Sequence, residues 1–117
     1  MSGSLYKNGS GQIVAVVAYD TVNDTFKTGD AANITAYVSK DGGAPSAIVD
    51  SASELDATNM AGMYVFALTK LDTDANNIII SSKSTTTGVS LSPLVIYTTA
   101  FPAAVTHLVN TRIIWIS

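Results

Sequence analysis

The sequence has no cysteine, a single histidine and only six basic residues among 117. Without cysteine, neither a disulfide nor a thiolate metal site can form. The basic residues are scattered along the chain, so they build no cluster that could bind nucleic acid through its phosphates. No stretch approaches the ~20 consecutive apolar residues of a membrane span. We therefore expect neither a nucleic acid nor a membrane as partner.

Catalytic signatures are equally sparse. A catalytic constellation needs a nucleophile, a base and an orienting group. The one histidine, His107, lies far along the sequence from the acidic turns. We predict that the protein is not an enzyme, has no catalytic residues and uses no cofactor.

The nearest approach to a metal motif is Asp-x-Asp-x-Asn at residues 72–76. It matches the first half of a calcium loop, but Asn77 stands where that loop needs glycine, and Lys83 where it needs a bidentate glutamate. The favoured interpretation is a turn between strands, without metal. One alternative stays open, a metal held between loops by the carboxylates of Asp20, Asp24 or Asp30.

The composition favours one folded, β-rich domain. Hydrophobic residues make up 47% of the chain and charged residues 13%, with a net charge of −3. The charged share is about half the usual one, and Ser, Thr, Asn and Ala take its place. Disorder is disfavoured because it goes with low hydrophobicity and high charge. Such a mixture is typical of extracellular or particle-surface proteins.

Strand patterns recur every 10 to 15 residues, and no window shows a helical period. The clearest, Gly62–Thr69, opens on a glycine, alternates its side chains with the two-residue period of a strand and is predicted to be a central strand. Gln12–Tyr19 is β-branched and is predicted to be buried on both faces, whereas Ala32–Ser39 should bury one face. Residues 54–59 are expected to carry the chain across the fold into the central strand. Further strands are predicted at 47–50, 77–83 and 89–97, with Pro93 at an edge or bulge.

About seven such strands in about 90 residues predict an all-β fold, an immunoglobulin-like antiparallel β-sandwich. We assign three regions. Residues 1–11 are a Gly/Ser-rich, flexible N-terminal arm without the apolar run of a secretory signal. Residues 12–99 form the sandwich domain, and residues 100–117 an apolar C-terminal tail.

The tail cannot alternate between core and water, because its last apolar residues are consecutive. Burying one large apolar side chain is worth roughly 1.5–3 kcal/mol, so leaving four exposed would favour aggregation. The tail can add a strand to its own sandwich or dock as a strand on a neighbouring subunit. Because the predicted sandwich is complete by Tyr97, docking on a neighbour is favoured. The predicted partner-binding residues are Phe101, Leu108, Val109, Ile113, Ile114, Trp115 and Ile116.

The five tyrosines offer a different hypothesis. Aromatic rings on a common surface could stack against sugars. These tyrosines belong to different predicted strands, so ordinary core and edge positions are favoured instead. They are Tyr6, Tyr19, Tyr37, Tyr64 and Tyr97.

Three blocks carry a resemblance to a known kind of domain: Ala18-Tyr-Asp-Thr21, the long stretch Lys27–Gly43, and Gly62-x-Tyr-x-Phe-x-Leu-Thr69. From about Val17 to Thr99 the chain resembles the small immunoglobulin-like β-sandwich domain of tailed-phage virion proteins. The resemblance implies a structural, non-enzymatic component at the virion surface, of the head-decoration (cement) or tail-appendage type. Its implied partners are the major capsid protein or other virion subunits, including further copies in a homo-oligomer. The alternative is a carbohydrate- or receptor-binding module of a tail fibre or baseplate.

Overall fold

The computed structural model describes residues 5–100, which form ten β-strands and a single turn of 3-10 helix. This part of the chain contains no α-helix, and hence no helix that could span a membrane. The elements are β1 (Leu5–Tyr6), β2 (Gln12–Asp20), β3 (Thr25–Phe26), the 3-10 turn (Ala31–Asn33), β4 (Ile34–Lys40), β5 (Ser46–Ala47), β6 (Ser53–Asp56), β7 (Met60–Leu68), β8 (Asn77–Ser84), β9 (Val89–Leu91) and β10 (Leu94–Thr99).

The strands build two five-stranded sheets, which confirms the all-β prediction. The first sheet has the order β1-β10-β8-β4-β5, and the second has the order β3-β2-β7-β6 with β9 paired to β2. All pairings are antiparallel except that between β1 and β10. The hydrophobic core consists of the buried faces of both sheets, as in a β-sandwich.

The central strand is where the alternation predicts it. β7 lies between β2 and β6, and its side chains alternate between buried and half-buried. Tyr64, Phe66 and Leu68 are almost completely buried and join Ile78 and Ile80 of β8 in the core. The interior position predicted for this stretch is confirmed, with the strand spanning Met60–Leu68.

The prediction that Gln12–Tyr19 is buried on both faces is wrong. Val14, Val16 and Ala18 are buried, whereas Ile13 is exposed and Val17 only half-buried. Within residues 5–100 the sandwich has two layers, so each sheet has one face in the core. Here β-branched residues reflect strand propensity as well as burial.

Residues 54–59 do not carry the chain across the fold. They form β6 and a tight reversal into its antiparallel neighbour β7. The carboxylate of Asp56 holds this reversal by accepting hydrogen bonds from the amides of Thr58 (2.9 Å) and Asn59 (3.0 Å) and from Asn59 Nδ2 (2.9 Å). Residues 54–59 are therefore the end of β6 and the hairpin turn that connects it to β7.

The predicted strand 89–97 is two strands in different sheets. β9 pairs with β2, and β10 pairs with β8. Ser92 lies at the change of sheet, where its amide donates to Val17 O (3.0 Å) and its Oγ accepts from Val17 N (3.0 Å). Pro93, which has no amide hydrogen to donate, follows it. The chain leaves one sheet at the residue that cannot continue the ladder.

From Leu5 onward, the segment predicted as an arm is hydrogen-bonded to the sandwich. β1 pairs with the end of β10, and Lys7 N donates to Thr99 O (2.8 Å). The fully buried Thr73 hydroxyl accepts from Gly9 N and donates to Gly9 O, both at 2.9 Å. Residues 5–11 thus form part of the fold, and the remainder of the predicted arm lies outside the described residues.

Candidate interaction surface

The outward face of the first sheet carries a patch of exposed aromatic and aliphatic side chains. Tyr97 is 70% exposed, Val95 61%, Tyr37 43% and Ile79 38%. We call these four residues the apolar stripe. Each alternates with inward-facing core residues on its strand.

The strand register places the members of the stripe side by side. Val95 of β10 is the direct neighbour of Ile79 of β8. Tyr97 and Tyr37 lie diagonally on either side of Ile79, since their direct β8 partners are Asn77 and Ser81. Diagonal neighbours in a sheet are about 7–8 Å apart, so the stripe runs obliquely across three strands.

The outward strand positions around the stripe are polar but almost uncharged. On the strands of this face, within the described part of the chain, the outward positions include no carboxylate and one cation, Lys83. An uncharged surface rich in tyrosine has a composition enriched at protein interfaces and in sugar-stacking sites. The other outward residues are Tyr6, Thr35, Ser39, Ala47, Asn77, Ser81 and Thr99.

Three of the five tyrosines therefore share one face, which sequence reasoning missed. Tyr37 and Tyr97 are 60 residues apart in the chain, but β8 alone separates their strands. Tyr6 joins the same face through its pairing with Thr99. For Tyr37 the available signal was its place on the polar phase of the alternating stretch Ala32–Ser39. Residues 94–99 have no such alternation, so there was no comparable signal for Tyr97. Tyr64, by contrast, is fully buried.

The partner-binding residues predicted in the tail lie outside the described residues, as does His107. They are Phe101, Leu108, Val109, Ile113, Ile114, Trp115 and Ile116. Their predicted contacts stay predictions.

The buried carboxylate of Asp30 is held by hydroxyl and amide donors. Ser84 Oγ and Thr86 Oγ1 each donate at 2.6 Å, and Asn33 Nδ2 donates at 2.9 Å. Burial by itself would raise the pKa of Asp30, but these three hydrogen bonds bring the pKa below its usual value. The group ties the turn before β4 to the end of β8.

Two further aspartates cap turns in the same way. Asp20 and Asp56 each accept hydrogen bonds from the amides two and three residues ahead and from the side chain of the asparagine three residues ahead. The hydrogen bond from the Asn23 side chain does most to lower the pKa of Asp20, and the one from the backbone N–H of Asn59 does most to lower the pKa of Asp56. Asp24 accepts from the Tyr19 hydroxyl. Asp20, Asp24 and Asp30 thus each accept a hydrogen bond from a neighbouring residue.

The segment considered as a calcium loop is a turn closed on itself. Asp72 Oδ2 accepts from Thr69 N (2.9 Å), and Thr69 Oγ1 accepts from Asp72 N (3.2 Å). Asp72 is buried, whereas Asp74 is exposed. Among residues 5–100, no three side chains of His, Cys, Asp or Glu are grouped so that they could hold a metal ion.

Comparison with protein-family models, with curated proteins and with solved structures finds no match to this chain.

Proposed function

We propose that this chain is a structural protein of a tailed-phage virion, most specifically a decoration (cement) protein that binds and stabilises the assembled head. Its partners in this proposal are the major capsid protein or other virion subunits, including further copies of itself. The observation that carries the proposal is the apolar stripe, a group of exposed and uncharged side chains on one face of a sheet.

The chemistry of the stripe suits a lasting contact with a protein surface. Tyrosine supplies a large contact area at low entropic cost and is enriched where interfaces exclude water, and Val95 and Ile79 add apolar area beside Tyr37 and Tyr97. The outward Ser, Thr and Asn side chains beside them can form a polar rim. An acidic chain with no basic cluster also suits the outside of a particle filled with DNA, because it has little tendency to bind that DNA.

The proposal includes an immunoglobulin-like form of the sandwich. Two features support it: the mainly antiparallel pairing within both sheets, and the single core that their buried faces share. The resemblance to phage virion domains involves the same framework. Of its blocks, Lys27–Gly43 forms the turn before β4 and β4 itself, and Gly62–Leu68 supplies the buried face of β7.

A second candidate function has its own supporting observation. Tyr6, Tyr37 and Tyr97 are exposed on one sheet face, and exposed rings on a flat face can stack against sugar rings. The chain would then be a carbohydrate- or receptor-binding module of a tail fibre or baseplate.

A binding experiment with purified particles separates the two candidates. Heads and complete virions of a phage that encodes this chain, produced without it, are mixed with the labelled protein and sedimented. A decoration protein saturates the heads at a fixed number of copies and raises their resistance to heat. Binding confined to tails, or to immobilised glycans, would contradict the decoration role and support the second candidate.

Surface variants connect that result to the stripe. Tyr97→Ser combined with Val95→Ser removes two of its members without touching the core. Val22→Ser combined with Leu71→Ser is the matched control, since both of those side chains are 71% exposed and lie in turns, outside the strands that carry the stripe. The proposal requires head binding to fall at least tenfold for the first variant and to stay within twofold for the control. Equal binding by both would rule out the stripe as the contact.

A further inference from the structure

The strand β10 has an unpaired edge within the described part of the chain. It pairs with β8 through Leu94–Tyr97 on one side, but with β1 only through Thr98 and Thr99 on the other. The amide of Thr98 points to the β8 side, where it donates to Asn76 O, whereas Thr99 O accepts from Lys7 on the β1 side. Because alternate residues of a strand direct their backbone groups to opposite edges, the N–H of Val95 points to the open edge.

An apolar groove of about 430 Å³ lies along that edge, between the two sheets. Leu94 and Ile96 of β10 are only partly buried there, although they pack against the core. Ile13, on β2 across the groove, is 62% exposed. The remaining lining residues are Leu5, Val14, Ala15 and Val95.

A strand added to this edge would meet apolar groups on both of its faces. Its inward side chains would enter the groove, and its outward side chains would lie beside Val95 and Tyr97, both largely exposed. An ordinary alternating strand suits only one of these environments. A consecutive apolar run suits both.

We propose that Ile113–Ile116 of the same chain docks as an additional strand on the open edge of β10. Ile-Ile-Trp-Ile is a run of four consecutive apolar residues. Docking here would place these side chains against apolar groups and would provide hydrogen-bond partners for the unpaired backbone groups of β10. The inference does not depend on the virion role, since it concerns how the chain completes its own sandwich.

The connection between β10 and this segment is long enough for docking within one chain. Twelve residues, 101–112, separate Ala100 from Ile113. They can span up to ~40 Å, whereas the six residues of β10 extend over only about 20 Å. A tether of this length gives an effective concentration of the order of millimolar, so self-docking outcompetes a second copy at ordinary protein concentrations. The expectation of docking on a neighbour relied on a sandwich complete by Tyr97, and the open edge removes that reason.

Disulfide trapping tests the proposal cleanly because the chain has no cysteine of its own. Val95→Cys is combined, one at a time, with Ile113→Cys, Ile114→Cys, Trp115→Cys and Ile116→Cys, and the full-length proteins are oxidised. Alternate residues of a strand face the same side, so rapid trapping is expected at alternate tail positions, as a monomer on non-reducing gels. Cross-linked dimers in place of monomers would assign the segment to a second copy and overturn the proposal.

Matched controls use the same tail positions. Thr35→Cys lies on the same sheet face, two strands from β10 and thus ~10 Å away, which is beyond the Cα separation of about 7 Å that a disulfide tolerates. Trapping by Thr35→Cys as fast as by Val95→Cys would overturn docking at this edge. A disulfide between Val95→Cys and Ser2→Cys, with no reaction at any tail position, would show that residues 1–4 occupy the edge of β10. That result would also overturn the proposal.

A proline variant provides an independent measurement. Val95→Pro removes the N–H that faces the open edge and leaves the bonds to β8, so the domain should keep its far-ultraviolet circular dichroism. The fluorescence of Trp115, the only tryptophan, should shift to the red, and its quenching by acrylamide should increase at least twofold. Unchanged tryptophan emission in the folded Val95→Pro protein would contradict the proposal.

Discussion

Tyr64 donates its hydroxyl hydrogen to the backbone carbonyl of Lys27, 2.8 Å away, from a side chain with no exposed surface. The same hydroxyl accepts a hydrogen bond from Asp30 N (3.2 Å). A phenol with the ordinary tyrosine pKa of about 10 is protonated at neutral pH, and burial raises the pKa of Tyr64 further, so the hydroxyl can donate. One core residue therefore holds both ends of the loop that leads into the first sheet.

Replacing that hydroxyl should destabilise the domain. Tyr64→Phe leaves the Lys27 carbonyl and the Asp30 amide without their partner, at an expected cost of about 1–3 kcal/mol. The measurement is urea unfolding, with a lower midpoint at an unchanged slope. Tyr37→Phe is the matched control, because that ring is exposed, and its midpoint should not move. Equal midpoints for both variants would mean that the buried hydrogen bonds contribute nothing.

Gly62 is required by both its backbone and its surroundings. Its φ is +86°, and a Cβ there would come within 2.8 Å of Ala18 O and 2.9 Å of Phe26 Cβ. Gly62→Ala should therefore cost more than the ~1–2 kcal/mol that the left-handed conformation alone demands. Gly42→Ala isolates the backbone contribution, since Gly42 has a φ of +78° but no neighbour within 4 Å. If thermal unfolding shows equal losses for the two variants, close packing at Gly62 is not a cause.

Alternation predicted the buried face of β4 because it reflects the two-residue repeat of a strand, which is a local property. Ile34, Ala36 and Val38 are buried as expected. For β7 it predicted a strand in the interior of a sheet, and β7 lies between β2 and β6. The short strands β1, β3 and β6 were not predicted. Two to four residues carry too little pattern to identify a strand, and these strands exist through pairing with distant partners.

The apolar stripe could not be predicted from sequence patterns, because a local pattern does not specify which strands become neighbours in a sheet. Tyr37 and Tyr97 come close only because β4 and β10 both flank β8. The change of sheet at Ser92 has the same character. Pro93 indicated an interruption of the strand. Which strands pair with β9 before it and with β10 after it depends on the whole topology.

The decrease in the free energy of unfolding at acidic pH should depend on Asp30. Hydrogen bonds hold its folded-state pKa below the usual value even though burial opposes this. The resulting stability is present above the unfolded pKa of about 3.9 and is lost as pH falls through the folded pKa. Asp30→Asn should be less stable at pH 7 but should lose less stability between pH 5 and pH 2.5, as measured by urea unfolding. If the stability of the variant falls with pH as steeply as that of the original chain, Asp30 is not the cause. Other groups would then be responsible, such as Asp20 and Asp56, whose pKa values are also lowered.

Thr73 should control whether residues 5–9 stay on the sandwich. Its buried hydroxyl both accepts from Gly9 N and donates to Gly9 O. Thr73→Val keeps the shape but leaves these groups unpaired, at a cost of about 1–3 kcal/mol. Amide hydrogen exchange should accelerate at Lys7 and Asn8, whose amides donate to Thr99 O and Thr73 O, by more than in β7. Thr35→Val, at an exposed position of β4, should leave all these rates unchanged. A uniform acceleration throughout the domain would show that Thr73 stabilises the whole fold and gives no separate control over the N-terminal segment.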